Sequence, residues 1–408
     1  MIVDEIRVAA LPSWYRNADQ PRSGVYVEEQ IHALQERGVR MDVVYPDLRS
    51  PRALGFSALK ANRFQTSLAE ESGVRTMRWN GWGVNKWKRL RAAVYVNRAR
   101  RLLEEYERRF GAPDLVHAHS HLWAGYAAAD WCAARGVPLV VSEHRGMLVA
   151  RNGEPPALPK WILRHLRRGL EVAAVTALVS EAQRPTLAPL VDRPEEKLRV
   201  VPNFVDGEVF PLSARNGDAG PTTRVVSVGN LKPEKGFDVL IRAFAALRAS
   251  REDVELTVVG DGPERTRLES LARDLGVAGA VAFRGSLSKE ALREEYGRAD
   301  VFALGSRRES FGIVLLEAGA SGLPVVASRS GGPETIVSEK TGALVEPEDV
   351  AGFAAALERV VARRVDSVAR QAIRESVLDR YGKDVVVDQI LGVYQDALLA
   401  TGRGNPKS

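Results

Sequence analysis

Short apolar runs recur along the chain, and each is followed by a segment of helical period. IRVAAL (6–11), MDVVYP (41–46), PLVVS (138–142), ALVS (177–180) and LRVVP (198–202) lie in the first half. RVVSVG (224–229), ELTVVG (255–260), VAFRG (281–285), DVFALG (300–305) and PVVAS (324–328) lie in the second. Continuous rather than alternating apolar runs predict strands buried on both faces. Val27, Ile31 and Leu34 fall on one helical face that stops at Gly38, and Val239, Ala243, Phe244 and Leu247 form another. Strand–helix alternation predicts α/β, doubly wound parallel sheets. DGEVFPLSARNGDAGPTT (206–223) is polar, aperiodic and rich in Gly and Pro, the pattern of a linker. It predicts domains at 1–205 and 206–384, with a final helix, about 385–403, packed back on the first.

A chain of 408 residues is too long for one ordinary core and suits two. Its 45% hydrophobic and 27% charged residues exclude fibrous and disordered classes. Cys132 is the single cysteine, which excludes an internal disulfide and any cysteine-based metal cluster. The opening MIVDEIRVAAL lacks the basic start of a signal peptide, and no run approaches a membrane span. These features predict a cytoplasmic chain. The net charge of +6 is uneven: residues 1–204 hold 31 Lys and Arg against 22 Asp and Glu, and residues 205–408 hold 27 against 30. The first half is therefore expected to meet something anionic.

Several segments carry chemistry. RVVSVGNLKPEKGFDVLIRAF (224–244) runs strand, Gly229, a loop with Lys232 and Lys235, then a helix; backbone N–H groups and a helix dipole meet phosphates in this arrangement. Two solvated lysines beside a turn would look the same. VVGDGPERTRLESLA (258–272) is a tight turn after a strand, and turn chemistry alone explains it. In SRRESFGIVLLEAGASGLPVVAS (306–328), Glu309 precedes a helix from about Ile313 to Ser321, and Glu317 sits among apolar neighbours, where it must be paired or bonded. A dipole contact for Glu309 and a salt bridge for Glu317 are the plain structural alternatives. PDLVHAHSHLWAG (113–125) places His117, His119 and His121 at alternate positions after a strand, a spacing open to metal binding or to polar groups facing a cleft. His144 follows the next strand at the same end, and Gly24 stands just before a helix.

Together these segments resemble the family-4 retaining glycosyltransferases of GT-B architecture, across nearly the whole chain. VGNLKPEKG, VVGDGP, FRG, ADVFALGSRRESFGIVLLEAGASGLPVVAS and GGPETI occur in the family's order, and Glu309 and Glu317 reproduce its E-x7-E pair. VPNFVD (201–206) is similar to the family's interdomain segment. PSWYRNADQPRSGVYVEEQIHAL resembles the opening of bacterial members that build cell-surface polysaccharides. The resemblance implies two Rossmann-like domains facing a cleft, with a nucleotide sugar (a UDP- or GDP-sugar) on the second domain and a glycan or lipid-linked acceptor on the first. By matching position it assigns the diphosphate to Lys235 and Gly24, and the ribose to Glu317. Glu309 with the backbone of Ser310, Phe311 and Gly312 would hold the donor sugar and phosphate. Arg284 and Gly285 would line the base, Gly260 would belong to the same donor site, and His119 matches the active-site histidine. Asn230 stands where the family usually has Arg, and Gly305 where it has Pro.

No Asp-x-Asp occurs in the sequence, so no metal or other cofactor is expected, and Lys235 with helix N-termini would stabilise the departing diphosphate. No carboxylate in these motifs is an obvious nucleophile, which favours same-face displacement with His119 orienting the sugar. Residues 75–109 carry 11 Lys and Arg against 3 acids, interleaved with Trp79, Trp82 and Trp87, and KWILRHLRRGL (160–170) is a second basic helix. Basic helices with Trp predict an acceptor and membrane side at Trp79, Trp82, Trp87, Lys86, Lys88, Arg89 and His144, peripheral on an anionic inner face. A solvated basic face is the alternative. Nucleic acid is not expected, because no nucleic-acid motif is present. Two other functions fit less well. One is a non-catalytic nucleotide-sugar binder, suggested by Asn230; the other is a GT-B nucleotide-sugar epimerase.

Overall fold

The computed structural model describes residues 6–17, 20–49, 64–83, 87–151, 153–212, 222–363 and 365–402. Eight strands form the first sheet: β1 (Arg7–Pro12), β2 (Arg40–Arg49), β3 (Thr66–Glu71), β4 (Val74–Trp82), β5 (Leu115–His119), β6 (Leu139–Glu143), β7 (Val175–Leu178) and β8 (Leu198–Val200). Their spatial order is β3-β4-β2-β1-β5-β6-β7-β8, and every pair is parallel except β3 with β4. Six parallel strands form the second: β9 (Thr223–Val228), β10 (Val254–Val259), β11 (Val281–Gly285), β12 (Val301–Leu304), β13 (Val325–Ser328) and β14 (Gly342–Val345). Their order is β11-β10-β9-β12-β13-β14. The strand order reverses at β1/β5 in one sheet and at β9/β12 in the other, and ligand crevices open at such points.

Helices of eight or more residues are numbered in chain order: α1 (Val25–Glu36), α2 (Lys88–Phe110), α3 (Tyr126–Arg135), α4 (Lys160–Val172), α5 (Phe237–Ser250), α6 (Arg265–Asp274), α7 (Lys289–Arg298), α8 (Ile313–Ala320), α9 (Val350–Ala362), α10 (Ser367–Tyr381) and α11 (Lys383–Ala400). The apolar faces read from the sequence are buried. Val27, Ile31 and Leu34 of α1 lie under the first sheet, and Leu240, Phe244 and Leu247 of α5 lie under the second. The chain returns at its end: Val386, Ile390, Tyr394 and Ala397 of α11 join the core of the first sheet.

One segment departs from expectation. Residues 75–82 are not part of a basic helix but form β4, which is central to its end of the sheet. Arg78 there is buried because Glu71 (2.7 Å) and Asp47 (3.4 Å) neutralise it. Trp79 is only 5% exposed; its indole N–H donates to the Phe64 carbonyl at 3.1 Å, and the Arg98 guanidinium lies 4.4 Å from its ring. Trp82 is half-buried at the end of β4, so neither Trp79 nor Trp82 stands free on the surface.

Candidate active site

The carboxyl ends of the two sheets approach one another. The Ser180 hydroxyl, after β7, donates to the Ser310 carbonyl at 2.7 Å, and Arg151 donates to the Arg307 carbonyl at 2.9 Å. Lys289 on α7 pairs with Glu29 on α1. Residues remote in sequence are thereby brought to one crevice.

On the second-sheet side, β9 ends in Gly229, and the chain turns through exposed Asn230 and Lys232 to Lys235 before α5 begins. Lys235 Nζ donates to Glu309 Oε2 at 2.5 Å. Glu309 leaves β12 in a loop fixed by its own backbone: its N–H donates to the Ser330 carbonyl and its carbonyl accepts from Gly332. Ser310, Phe311 and Gly312 follow, with Phe311 buried edge-on against Tyr381 and Gly312 opening α8. The N-terminus of α8 opens beside Glu309 of the pair, a place that favours anions. Glu317 is on α8. It accepts the Tyr296 hydroxyl at 2.9 Å, and burial pushes its carboxyl up to about 7. It lines a small cavity of about 130 Å³ with Glu29, His32 and Lys289.

Gly260 closes the next loop. A Cβ there would stand 1.9 Å from the Gly229 carbonyl oxygen at a φ of +133°, so only glycine lets the β9 and β10 loops touch. Its N–H donates to the Gly285 carbonyl at 2.7 Å. Arg284, half-exposed at the end of β11, pairs with Glu295 at 3.2 Å.

On the first-sheet side, Gly24 caps α1 at φ +74°, where a Cβ would come within 2.7 Å of the Trp14 carbonyl. His117 and His119 lie on one face of β5, as alternate spacing requires. His117 is held by the Tyr394 hydroxyl (2.7 Å) and the Ser142 hydroxyl (2.8 Å). His119 Nδ1 lies 3.4 Å from His144 Nε2, with the two rings inclined by only 17°. The third histidine parts from them. Ser120 takes φ +77°, and His121 turns to the Thr176 hydroxyl at 3.1 Å, beside Gly169 of α4. Among the described residues no group of three His, Cys, Asp or Glu is placed to hold a metal ion. Burial keeps these imidazoles neutral: His117, His121 and His144 are pushed down to about 3, and His119 falls well below its usual value.

Two residues here escaped sequence reasoning. Glu143, fully buried at the end of β6, accepts the Ser120 hydroxyl (3.0 Å) and the N–H groups of His121 and Arg145 (both 2.9 Å), and burial raises its carboxyl. Arg145 donates through Nε to Ser120 Oγ (2.8 Å) and the Leu122 carbonyl (2.9 Å), with its guanidinium 4.6 Å from the Trp14 ring. The polar run SEHR directly after an apolar strand was the available signal.

The acceptor-side set is dispersed. His144 lies inside the crevice under the Tyr26 ring (4.5 Å), whereas Trp79 is in the core. Trp87, 63% exposed, stands just before Lys88 and Arg89 at the start of α2, and Lys86 lies outside the described residues.

Two parallel-sheet domains with their strand ends facing a shared crevice define the GT-B class. Sucrose-phosphate synthase from Thermosynechococcus elongatus superposes with a TM-score of 0.76 over 97% of this chain and all of that one, at 22% identity. Residues 23–209 match the Glycosyltransferase Family 4 profile, and residues 212–376 match Glycosyl transferases group 1. The D-inositol 3-phosphate glycosyltransferase of Acidothermus cellulolyticus is 35% identical over 306 residues, 69% of this chain and 67% of that protein. The GDP-mannose-dependent alpha-(1-6)-phosphatidylinositol monomannoside mannosyltransferase of Mycolicibacterium smegmatis is 39% identical over 213 residues, 48% of this chain and 55% of that one. The chain belongs to the family-4 glycosyltransferases, which act on nucleotide sugars.

Proposed function

We propose that the chain is a retaining, metal-independent glycosyltransferase. It would move a sugar from a UDP- or GDP-sugar to a hydroxyl of a lipid-linked or polysaccharide acceptor in cell-envelope glycan synthesis. The observation that carries this is the Lys235–Glu309 pair at 2.5 Å, beside the first turn of α8 and on the loop that Ser180 ties to the first sheet. The pair, which the family resemblance assigns to the donor, lies where an anion is favoured from two sources. The donor diphosphate would displace the Glu309 carboxylate from Lys235. Glu309 and the Ser310–Gly312 backbone would then hold sugar and phosphate oxygens, Glu317 would accept the ribose hydroxyls, and Gly24 would let α1 approach the diphosphate. Asn230, Gly260, Arg284 and Gly285 would complete the nucleotide side.

In the reaction the anomeric C–O bond to the diphosphate breaks as the acceptor oxygen bonds to the same face. The acceptor proton passes to the departing phosphate oxygen. Lys235 and the α8 N–H groups stabilise charge building on that oxygen. Glu143, a buried carboxylate bonded to the loop after His119, is committed to three donors and is not free to act as a nucleophile. Support for a lipid-linked, anionic acceptor comes from the phosphatidylinositol-mannoside acceptor named for the mycolicibacterial relative. An assay of nucleoside diphosphate release from a panel of UDP- and GDP-sugars, with and without candidate acceptors, tests the reading. Binding without release would make the chain a non-catalytic relative, and an isomerised sugar without acceptor would make it an epimerase.

A further inference from the structure

Three loops of the first sheet close on one side chain. The guanidinium of Arg145, after β6, lies 4.6 Å from the Trp14 ring and 5.7 Å from the Trp123 ring. Trp14 follows β1 and Trp123 follows β5, the two strands at which the order of this sheet reverses. The Ser13 hydroxyl ties their loops together by accepting the Trp123 and Ala124 N–H groups at 2.9 and 3.2 Å. All three side chains are partly exposed. The next residue, Gly146, stands opposite the donor-side loop: a Cβ there would lie 3.9 Å from the Ser310 nitrogen. The cation is thus at the mouth of the ligand crevice, across from the loop that holds Glu309.

The partners of this cation are neutral. Nε donates to the Ser120 hydroxyl at 2.8 Å and to the Leu122 carbonyl at 2.9 Å, and Nη2 donates to the same carbonyl. Nη1 has no partner among the described residues and is not sealed from solvent. Glu143 meets the guanidinium through Ser120, whose hydroxyl donates to that carboxylate at 3.0 Å. The same carboxylate also accepts the N–H groups of His121 and Arg145, so its charge is shared among three donors. Tyr26 and Tyr95 keep their protons and His144 is neutral, because burial disfavours each charged form. The indole faces attract a cation but accept none of its in-plane N–H bonds. A guanidinium drawn out of water without a direct counter-charge is costly until an anion meets it.

We propose that Arg145 selects the acceptor: the acceptor carries a phosphate or a carboxylate, and this group binds the open Nη1 edge of the guanidinium between Trp14 and Trp123. The inference rests on the reading of the first domain as the acceptor side, and it narrows that acceptor to an acidic or phosphorylated one rather than a neutral glycan. Charge-assisted hydrogen bonds from a planar fork suit both groups. Ser120 and Leu122 hold the fork in place before the acceptor arrives, so little ordering is left to binding.

The test is calorimetric titration of the full chain with glucose 6-phosphate, glucuronate and glucose. Each is added with and without saturating UDP or GDP, which would fill the Lys235 side. At least one charged probe should bind whether or not nucleotide is present, and glucose should bind at least about tenfold more weakly. Arg145→Gln should weaken the charged probe about 10- to 100-fold, the scale of a hydrogen bond to a charged group, and leave nucleotide affinity within about twofold. The tighter of the two charged probes tells phosphate from carboxylate. No binding by either charged probe, equal affinity for glucose, or unchanged affinity in Arg145→Gln would overturn the proposal. Loss of the charged probe on adding nucleotide would overturn it too, since the anion would then belong to Lys235. If Arg145→Gln does not fold, the wild-type chain labelled with 15N-tryptophan decides. The charged probe should shift the indole signals of Trp14 and Trp123, assigned with Trp14→Phe and Trp123→Phe, and leave that of buried Trp131 in place. Unmoved Trp14 and Trp123 signals would overturn it. If the chain neither binds UDP or GDP nor releases them from a sugar donor, the functional proposal fails, and the probe result is read separately. Nucleotide binding without Arg145-dependent probe binding sinks this inference alone.

Discussion

Lys235 and Glu309, 74 residues apart, meet at 2.5 Å where the loops after β9 and β12 converge. A strong internal partner for the lysine means that a ligand must offer more negative charge than one carboxylate, and a diphosphate does. Lys235→Ala should lower turnover by roughly 10²- to 10³-fold, the scale for removing one preorganised contact to developing charge. Steady-state rates with saturating donor check this. A rate near wild type would remove the diphosphate from Lys235.

Transfer should persist in excess EDTA. With the donor placed as proposed, Lys235 and the first turn of α8 would put positive potential at the leaving group, the role a divalent cation otherwise fills. The comparison is product formed with EDTA, then with Mg²⁺ or Mn²⁺ added back. Complete loss followed by restoration would show that these groups do not suffice.

Glu317 should make donor binding depend on pH. Burial lifts its carboxyl to about 7, opposed only in part by the Tyr296 hydroxyl and Lys289. If Glu317 holds the ribose as proposed, its ionised form would accept two hydroxyls better than the protonated form, so donor KM should rise as pH falls through about 7. The linkage to folding has the opposite sign: because the folded value is raised, this group's contribution favours the fold at low pH and is lost as pH climbs to about 7. Glu317→Gln should raise donor KM with little change in turnover, since ribose contacts are alike in ground and transition states. It should also flatten the pH dependence. KM profiles from pH 6 to 8 compared for the two proteins decide; parallel profiles would exclude Glu317 as the titrating group.

Much of this was legible in the sequence because burial writes itself as apolar runs. Each of the ten runs read as strands overlaps a strand of the two sheets. The β3–β4 hairpin was not legible. Arg78 looks like surface charge until Asp47 and Glu71, from other strands, neutralise it in a buried place. Whether His121 would join His117 and His119 was not legible, because alternate spacing holds only while the strand continues, and Ser120 ends it at φ +77°. Glu143 and Arg145 were missed for a related reason. Their partners, Ser120 and Leu122, belong to the neighbouring strand's loop, and only the β5–β6 pairing brings them together.

Asn230→Arg probes whether the family's missing cation still has a place. Asn230 is exposed directly after Gly229, and its carbonyl accepts the Lys232 N–H at 2.8 Å. An arginine here should raise nucleoside diphosphate affinity and maintain or raise turnover, because it adds a bidentate phosphate donor without disturbing a buried contact. Calorimetric titration with UDP and GDP gives the affinity. Unchanged affinity and kinetics would place the side chain away from the phosphates.

The exposed start of α2 is the part of the basic region that remains suited to a membrane. Trp87 and Leu90 are 63% and 50% exposed, and Lys88 and Arg89 occupy the first turn between them, with no acidic residue in that turn. Cations at a helix N-terminus oppose its dipole, so fold stability alone would not place them there. An anionic lipid surface would accept the charges and take the two apolar side chains into its interface. The full chain should therefore float with phosphatidylglycerol vesicles at low salt and be released as salt shortens the Debye length below about 8 Å. Lys88→Glu with Arg89→Glu should abolish flotation while leaving donor hydrolysis intact. The same pair of changes should raise the melting temperature slightly, because acids in the first turn complement the dipole. Lost flotation could not then be blamed on unfolding. If the wild-type chain fails to float even at low salt, this face is ordinary solvated surface and the acceptor is a soluble glycan.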